Sequence, residues 1–178
     1  NFLAALALLE PYHLSAVQIQ SALDTFLSVK RRLQIRLENK AATIIEDFAH
    51  HPTAIEANLK VLRMLYPKRR LVVLIEPRSN TMVRRFFQEQ LVDALSAADV
   101  IFSDDIYRKE KYAADDRLDL ARLENDLKAR GKKFYLLPKE SRTPFVIEKL
   151  QEGDVVCFMT NGSFSGLIGD VVEKMGER

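Results

Sequence analysis

An α/β domain with an open, mostly parallel sheet of about six strands, helices covering both faces, is the fold this sequence predicts. Three observations predict it. The apolar runs Ala42–Ile45, Leu71–Ile75 and Val155–Met159 are near-continuous rather than alternating, as strands buried on both faces are. Stretches with apolar residues at helix spacing separate these runs. Polar residues gather where each run hands over to a helix, at Asp47-Phe48-Ala49-His50-His51-Pro52-Thr53, at Glu76-Pro77-Arg78-Ser79-Asn80-Thr81 and at Asn161-Gly162-Ser163. In an open, Rossmann-like sheet, ligands bind outside the carboxyl ends of the strands.

Element by element, residues 2–9 and 15–27 read as two helices. Ser15 is placed as an N-cap, and Val17, Ala22 and Phe26 fall at helix-like intervals. They form no complete domain, and residues 1–29 are expected to be the helical end of a preceding domain, joined near Ser28 to Arg31 to a second domain over 30–178. Leu33 to Leu37 alternates apolar and polar residues, as an edge strand does. Glu38-Asn39-Lys40 turns the chain into the strand that ends at Glu46. Helix 53–65 carries Ile55, Leu59 and Leu62 on one face, and strand 71–75 follows. A helix over 82–97 is expected from Phe87, Leu91 and Ala94. Val100-Ile101-Phe102 is a short buried strand ending at Ser103-Asp104-Asp105. Residues 104–116 are dense in charge without a period and read as a surface loop. Helix 117–130 stops at Gly131, a natural residue just past a helix end. Strand 133–137, a helix opened by Thr143-Pro144, strand 155–159 and a helix over 163–175 complete the chain.

Composition narrows the function classes. With 178 residues, 47% hydrophobic and 29% charged, the chain has ordinary globular proportions. The net charge of +2, with both signs interspersed, leaves the run Lys68-Arg69-Arg70 as a solvated loop rather than a nucleic-acid footprint. The single cysteine, Cys157, sits in an apolar run, so it forms no intrachain disulfide and points to a reducing, cytoplasmic compartment. No apolar stretch approaches the roughly 20 residues of a membrane helix. The first residues lack the basic start of a signal peptide, and the missing initiator Met suggests a chain cut from something longer.

The strand-end residues allow several chemistries. Asp47, His50 and His51 suit a metal, a catalytic base or a phosphate, or else they merely satisfy a turn. Their spacing matches no zinc motif and no cysteine joins them, so no metal site is assigned. Pro52 fits a first helical turn, and the free N–H groups behind it suit an anion. Arg78, beside Ser79 and Asn80, supplies a planar fork for a carboxylate or phosphate. Gly162 permits a tight turn after Asn161. Three polar strand ends on one rim make a site more often than a coincidence. No glycine-rich phosphate motif occurs in the chain, so nucleotide phosphates need further partners. In Val29-Lys30-Arg31-Arg32-Leu33 an arginine aimed at phosphates competes with a solvated basic turn.

Taken together, Val-Lys-Arg-Arg-Leu, Asp-Phe-Ala-His-His-Pro-Thr and Glu-Pro-Arg-Ser-Asn-Thr-Met resemble the carboxyl-terminal part of the Mur ligases. Asn1-Phe2-Leu3-Ala4-Ala5 resembles the end of that family's central-domain motif. The loop at 160–166 departs from the family pattern Ser-Asn-Gly-Gly-Phe-Gly-Gly at Thr160, Ser163 and Ser165. The resemblance implies ligation of a carboxylate to an amine with ATP and Mg²⁺, through an acyl phosphate. Phosphate loop and metal ligands then belong to the central domain. It implies that Asn1, Arg32, Asp47 and Phe48 contact ATP, with Arg32 at a phosphate, Asp47 at the ribose and Phe48 at the adenine. His50 would stand near the reacting phosphate or the incoming amine, and Arg78, Ser79, Asn80 and Asn161 would hold the incoming acceptor. Glu-Pro-Arg-Ser-Asn-Thr-Met favours a peptide-adding member, joining L-Ala-γ-D-Glu-meso-diaminopimelate to UDP-N-acetylmuramate in peptidoglycan recycling. An L-alanine-adding member, which carries Pro-His-Arg-Tyr-Thr at that place, and a non-catalytic nucleotide- or peptide-binding module remain the alternatives.

Overall fold

The computed structural model describes residues 2–26 and 29–178, so Asn1, assigned above to the cofactor, lies outside the described residues, as do positions 27 and 28. The chain divides into two compact units, Asn1–Lys30 and Arg31–Arg178.

The first unit holds α1 (Phe2–Leu9), a 3-10 turn and α2 (Ala16–Asp24). A capping box opens α2: Ser15 Oγ accepts from Gln18 N at 3.3 Å, and Gln18 Oε1 accepts from Ser15 N at 2.9 Å. Leu3 and Val17 are 79% and 78% exposed.

The second unit is a six-stranded sheet in the order β1-β2-β6-β3-β4-β5. Its strands are β1 (Gln34–Glu38), β2 (Ala42–Asp47), β3 (Leu71–Ile75), β4 (Val100–Ser103), β5 (Lys133–Leu136) and β6 (Asp154–Met159). β1 pairs antiparallel with β2 and every other pairing is parallel. The helices are α3 (Pro52–Leu65), α4 (Gln88–Leu95), α5 (Leu120–Ala129), α6 (Arg142–Lys149) and α7 (Leu167–Gly176).

Side-chain alternation sorts the core into two layers. Ile45, Val73, Ile75, Ile101, Val155 and Cys157 pack with Leu59 of α3, Leu91 of α4 and Leu123 of α5. Ile44, Val72, Leu74, Phe102, Val156 and Phe158 pack on the other face with Val146 of α6 and Val171 of α7. The expected continuous apolar strands are thus those covered on both sides. The last strand, β6, inserts between β2 and β3, so the chain ends of β2, β6 and β3 are neighbours although far apart in sequence.

Several expectations need correction. The helix expected over 82–97 begins as a 3-10 turn at Arg85–Phe87 and becomes α4 only at Gln88. Met82 and Val83 are buried from a turn instead, with Val83 N donating to Ser79 O at 3.1 Å. The helix expected from 117 starts at Leu120, because Arg117 bridges Arg84 and Asp119 caps the helix through Arg122 N. β1 carries an irregularity between Ile35 and Leu37, which breaks its alternation and leaves Ile35 half exposed. The run Lys68-Arg69-Arg70 is not merely solvated. Arg69 Nε donates to Gly153 O at 2.6 Å, and Arg70 grips Asp154 with Nε and Nη2 at 2.8 and 2.6 Å, fastening the start of β6. The closing helix starts at Leu167, after Phe164 and Ser165 adopt positive φ values of 49° and 52°.

Candidate functional site at the carboxyl rim

Parallel pairing carries the ends of β2, β6, β3 and β4 to one edge of the sheet, and their following loops build one continuous rim. Asp47, the last residue of β2, is 2% exposed. Its Oδ2 accepts from Leu33 N at 2.8 Å, and its Oδ1 accepts from Ala49 N and Asn58 Nδ2, each at 2.7 Å. A carboxylate offers about four lone-pair directions, so these three donors leave room for one more, such as a hydroxyl. Asp47 also lines a cavity of ≈ 260 Å³ with Arg32, Leu33, Ala49, Ala54 and Asn58. Arg32 is exposed there, its guanidinium carbon 5.4 Å from the centre of the Phe48 ring. The first turn of α3 reaches the same cavity through Ala54. Arg32 and the consecutive pair Asp47-Phe48, 15 residues further on, are therefore one neighbourhood, and a cation beside a helix amino terminus suits a phosphate.

His50 follows on the same loop. Its Nδ1 lies 2.8 Å from Phe48 O. A carbonyl oxygen can only accept, so Nδ1 carries the hydrogen and Nε2 keeps the lone pair in the neutral ring. The ring stands edge-on to Phe48 at 5.1 Å. His51 turns elsewhere: it caps α3 by accepting from Thr53 N at 3.3 Å and packs edge-on to Phe87. The two adjacent histidines thus have separate backbone partners, His50 the carbonyl of Phe48 and His51 the N–H of Thr53.

At the end of β3, Glu76 is buried and accepts from Phe164 N at 3.3 Å and from the Thr160 hydroxyl. Arg78, half-buried, reaches Glu76 Oε1 only at 3.4 Å and lays its guanidinium 4.0 Å from the centre of the Tyr107 ring. Its fork is thereby oriented without being consumed. Ser79 is almost fully engaged, donating from Oγ to His50 O at 3.0 Å and accepting from Met82 N at 3.1 Å. Asn80 is exposed and its Oδ1 accepts from Tyr112 OH at 3.2 Å. Between β2 and β3, Asn161 has a buried Oδ1 without a hydrogen-bond partner. A buried acceptor without a partner is uncommon, and here it lies beside the loop end of the central strand. Asp104, after β4, has its carboxyl raised above the usual range by burial, against the pull of Arg142, with Glu76 pushing the same way.

Two further residues, Arg31 and Gly162, hold this rim together. Arg31, not Arg32, is the staple. With φ of +61° its side chain turns inward, and Nη2 donates to Thr160 O at 2.7 Å and Gly162 O at 2.6 Å, while Nε lies 2.8 Å from Glu46 Oε1. Gly162 needs its missing side chain: a Cβ there would stand 2.5 Å from Glu76 Oε2 and 2.8 Å from Arg78 Cδ. The basic run around Arg31 and the strand-end Gly162 were visible signals, but which arginine turned inward was not.

A doubly covered, mostly parallel sheet whose polar strand ends gather histidine, arginine and an anion-suited helix start defines an α/β domain with its polar chemistry on the carboxyl rim, where ligands bind in open α/β sheets. The family model for the Mur ligase, glutamate ligase domain matches residues 31–162, and the chain belongs to the Mur ligase family. Among curated relatives, it is 31% identical to a UDP-N-acetylmuramate–L-alanine ligase of Desulfotalea psychrophila, covering 99% of this chain and 39% of that protein. It is 30% identical to a UDP-N-acetylmuramate–L-alanyl-γ-D-glutamyl-meso-2,6-diaminoheptandioate ligase of Haemophilus influenzae, covering 98% of this chain and 38% of that protein. A murein peptide ligase from Psychrobacter arcticus matches in structure with a TM-score of 0.71 and 26% identity, over 99% of this chain and 36% of that one. The UDP-N-acetylmuramate–alanine ligase of Thermotoga maritima shares the fold, with a TM-score of 0.75 at 22% identity, over 99% of this chain and 37% of that one. The chain therefore spans about two-fifths of the length of the curated relatives it matches.

Proposed function

We propose that this chain is the carboxyl-terminal domain of an ATP-dependent ligase that joins L-Ala-γ-D-Glu-meso-diaminopimelate to UDP-N-acetylmuramate through an acyl phosphate, in peptidoglycan recycling. On this reading residues 1–29 close the central domain, which would carry the phosphate loop and the Mg²⁺ ligands. The observation that carries the reading is Arg78: a half-buried fork at the end of β3, oriented by Tyr107 and only loosely paired to Glu76. A multiply carboxylated peptide suits such a fork. The relatives include both L-alanine-adding and tripeptide-adding enzymes, and the stretch Pro77-Arg78-Ser79-Asn80-Thr81 is what favours the second.

The cavity beside Asp47 fits part of a nucleotide. Arg32 would meet a phosphate, the remaining lone pair of Asp47 a ribose hydroxyl, and Phe48 the base. ATP supplies the activation of the donor carboxylate. His50, through Nε2, would accept a proton from the incoming amine or steady the phosphate beside it. Asn161, at the end of β6 between the His50 and Arg78 loops, would belong to the acceptor side of the rim. Bringing amine and activated carboxylate together is the domain's main contribution, since orientation can be worth roughly 7–11 kcal/mol.

The test is ligation by the full-length protein, with UDP-N-acetylmuramate and ATP, of the tripeptide against free L-alanine. Preference for the tripeptide supports the reading. Preference for L-alanine returns the chain to the L-alanine-adding branch, and no ligation with either favours a binding module.

A further inference from the structure

The loop after β4 is joined closely to the Arg78 loop. Tyr107 N donates to Pro77 O at 2.9 Å, and the Tyr107 ring has the guanidinium carbons of Arg78 and Arg108 at 4.0 and 5.0 Å from its centre. Two cations thus share one aromatic ring at the rim. The neighbouring cations are committed to acids: Lys109 to Asp105 and Arg142 to Asp104, each at 2.6 Å, and Arg84 to Asp116. Arg108 forms no ion pair among the described residues, and it is exposed. Its φ of +51° lies in the left-handed region, a conformation that persists only where the surroundings hold it.

The order of groups along the rim follows the strand order. His50 follows β2, Asn161 follows β6, Arg78 follows β3, and Tyr107 and Arg108 follow β4. Neighbouring strands lie about 4.8 Å apart, so three spacings separate the β2 and β4 ends by roughly 14 Å. Three residues of extended peptide span about 10–11 Å, before the longer γ-linkage and the last side chain are added. A tripeptide whose amine lies at the β2 end therefore brings its third residue to the end of β4, where free L-alanine does not reach.

We infer that Arg108 is a specificity-determining residue that binds a carboxylate of the acceptor's third residue, with Tyr107 setting its distance from Arg78. This rests on the peptide-acceptor reading above. The diaminoheptandioate residue carries two carboxylates, so Arg78 and Arg108 can each take a carboxylate of the peptide.

The experiment uses full-length protein and measures kcat/KM for the tripeptide and for L-alanyl-γ-D-glutamate, which lacks the third residue. In Arg108→Gln the ratio of tripeptide to dipeptide kcat/KM is expected to fall about tenfold, as loss of a charge-assisted contact requires. Arg108→Lys should recover part of that ratio. Thermal midpoints of both variants report folding. An unchanged ratio, or equal losses with both acceptors, overturns the role of Arg108 and leaves the peptide-acceptor reading standing. A wild-type protein that ligates L-alanine and neither peptide overturns that reading and this inference together.

Discussion

The Ser79 hydroxyl donates to the backbone carbonyl of His50 at 3.0 Å, tying the loop after β3 to the loop after β2 across the intervening β6. The same oxygen accepts from Met82 N. One buried hydroxyl therefore fixes both the His50 loop and the turn that follows Arg78.

Ser79→Ala removes that link and leaves the buried Met82 N–H unpaired. An unsatisfied buried donor costs about 1–3 kcal/mol, so urea unfolding of the 178-residue chain should show a loss of that size at unchanged slope. A loss of only a few tenths would mean that solvent replaces the hydroxyl and that the loops are not held this way.

Gly162→Ala places a methyl group against Glu76 Oε2 and Arg78 Cδ, both within 3 Å. The Glu76 carboxylate, held by Thr160 and Phe164 N, and the Arg78 side chain must then both shift. Overpacking of this kind costs about 1–3 kcal/mol. In full-length enzyme the displaced fork should raise the KM for the acceptor more than the KM for ATP. Equal changes in both would detach Gly162 from the acceptor side of the rim.

Arg78→Lys keeps the charge and loses the planar fork and its stacking on Tyr107. In the full-length enzyme kcat/KM for the tripeptide should fall by one to two decades, roughly 1.4–2.8 kcal/mol. The ATP dependence should change little, because the nucleotide is assigned to the Arg32 and Asp47 side. A purely structural Arg78, bound to Glu76, would instead lower the melting temperature and affect both substrates in proportion.

Asp99 provides a pH-dependent check on the opposite end of the sheet. Burial alone would raise its pKa, but Arg63 at 2.8 Å and the N–H of Leu71 at 2.8 Å bring it below the usual carboxylate range. A lowered folded-state pKa contributes stability above the unfolded value and loses it as pH falls through the folded one. Asp99→Asn should therefore destabilise the domain near neutral pH and converge with wild type in strong acid. The carboxylate is partly exposed, so the neutral-pH difference should be of order 0.5–1 kcal/mol. Unfolding curves from pH 7 to pH 2 measure it, and a difference that grows in acid would contradict the assignment.

Much of this architecture could be read in the chain itself. Ala42–Ile45, Leu71–Ile75 and Val155–Met159 are apolar but for the buried Thr43 because helices cover both faces, and that pattern survives any detail of packing. The polar ends at Asp47, Arg78 and Asn161 marked the rim because parallel strands all finish on one side. Helix boundaries were less legible. Met82 and Val83 have the spacing of a helix, yet a hydrogen bond to Ser79 O and the bridge from Arg84 to Arg117 hold them in a turn. Local periodicity records which residues are buried, not which backbone geometry buries them.

Burial pattern and strand-end chemistry were properties of the sequence alone, since both arise from neighbours a few residues apart. The insertion of β6 between β2 and β3, the inward turn of Arg31 rather than Arg32, the closure of Gly162 onto Glu76, and the sharing of Tyr107 by Arg78 and Arg108 were decided only in three dimensions. Each depends on groups brought together across the sheet, or from one loop to another. Adjacent arginines are chemically alike in sequence, and the carbonyls of Thr160 and Gly162 with the carboxylate of Glu46 distinguish the one that becomes part of the fold.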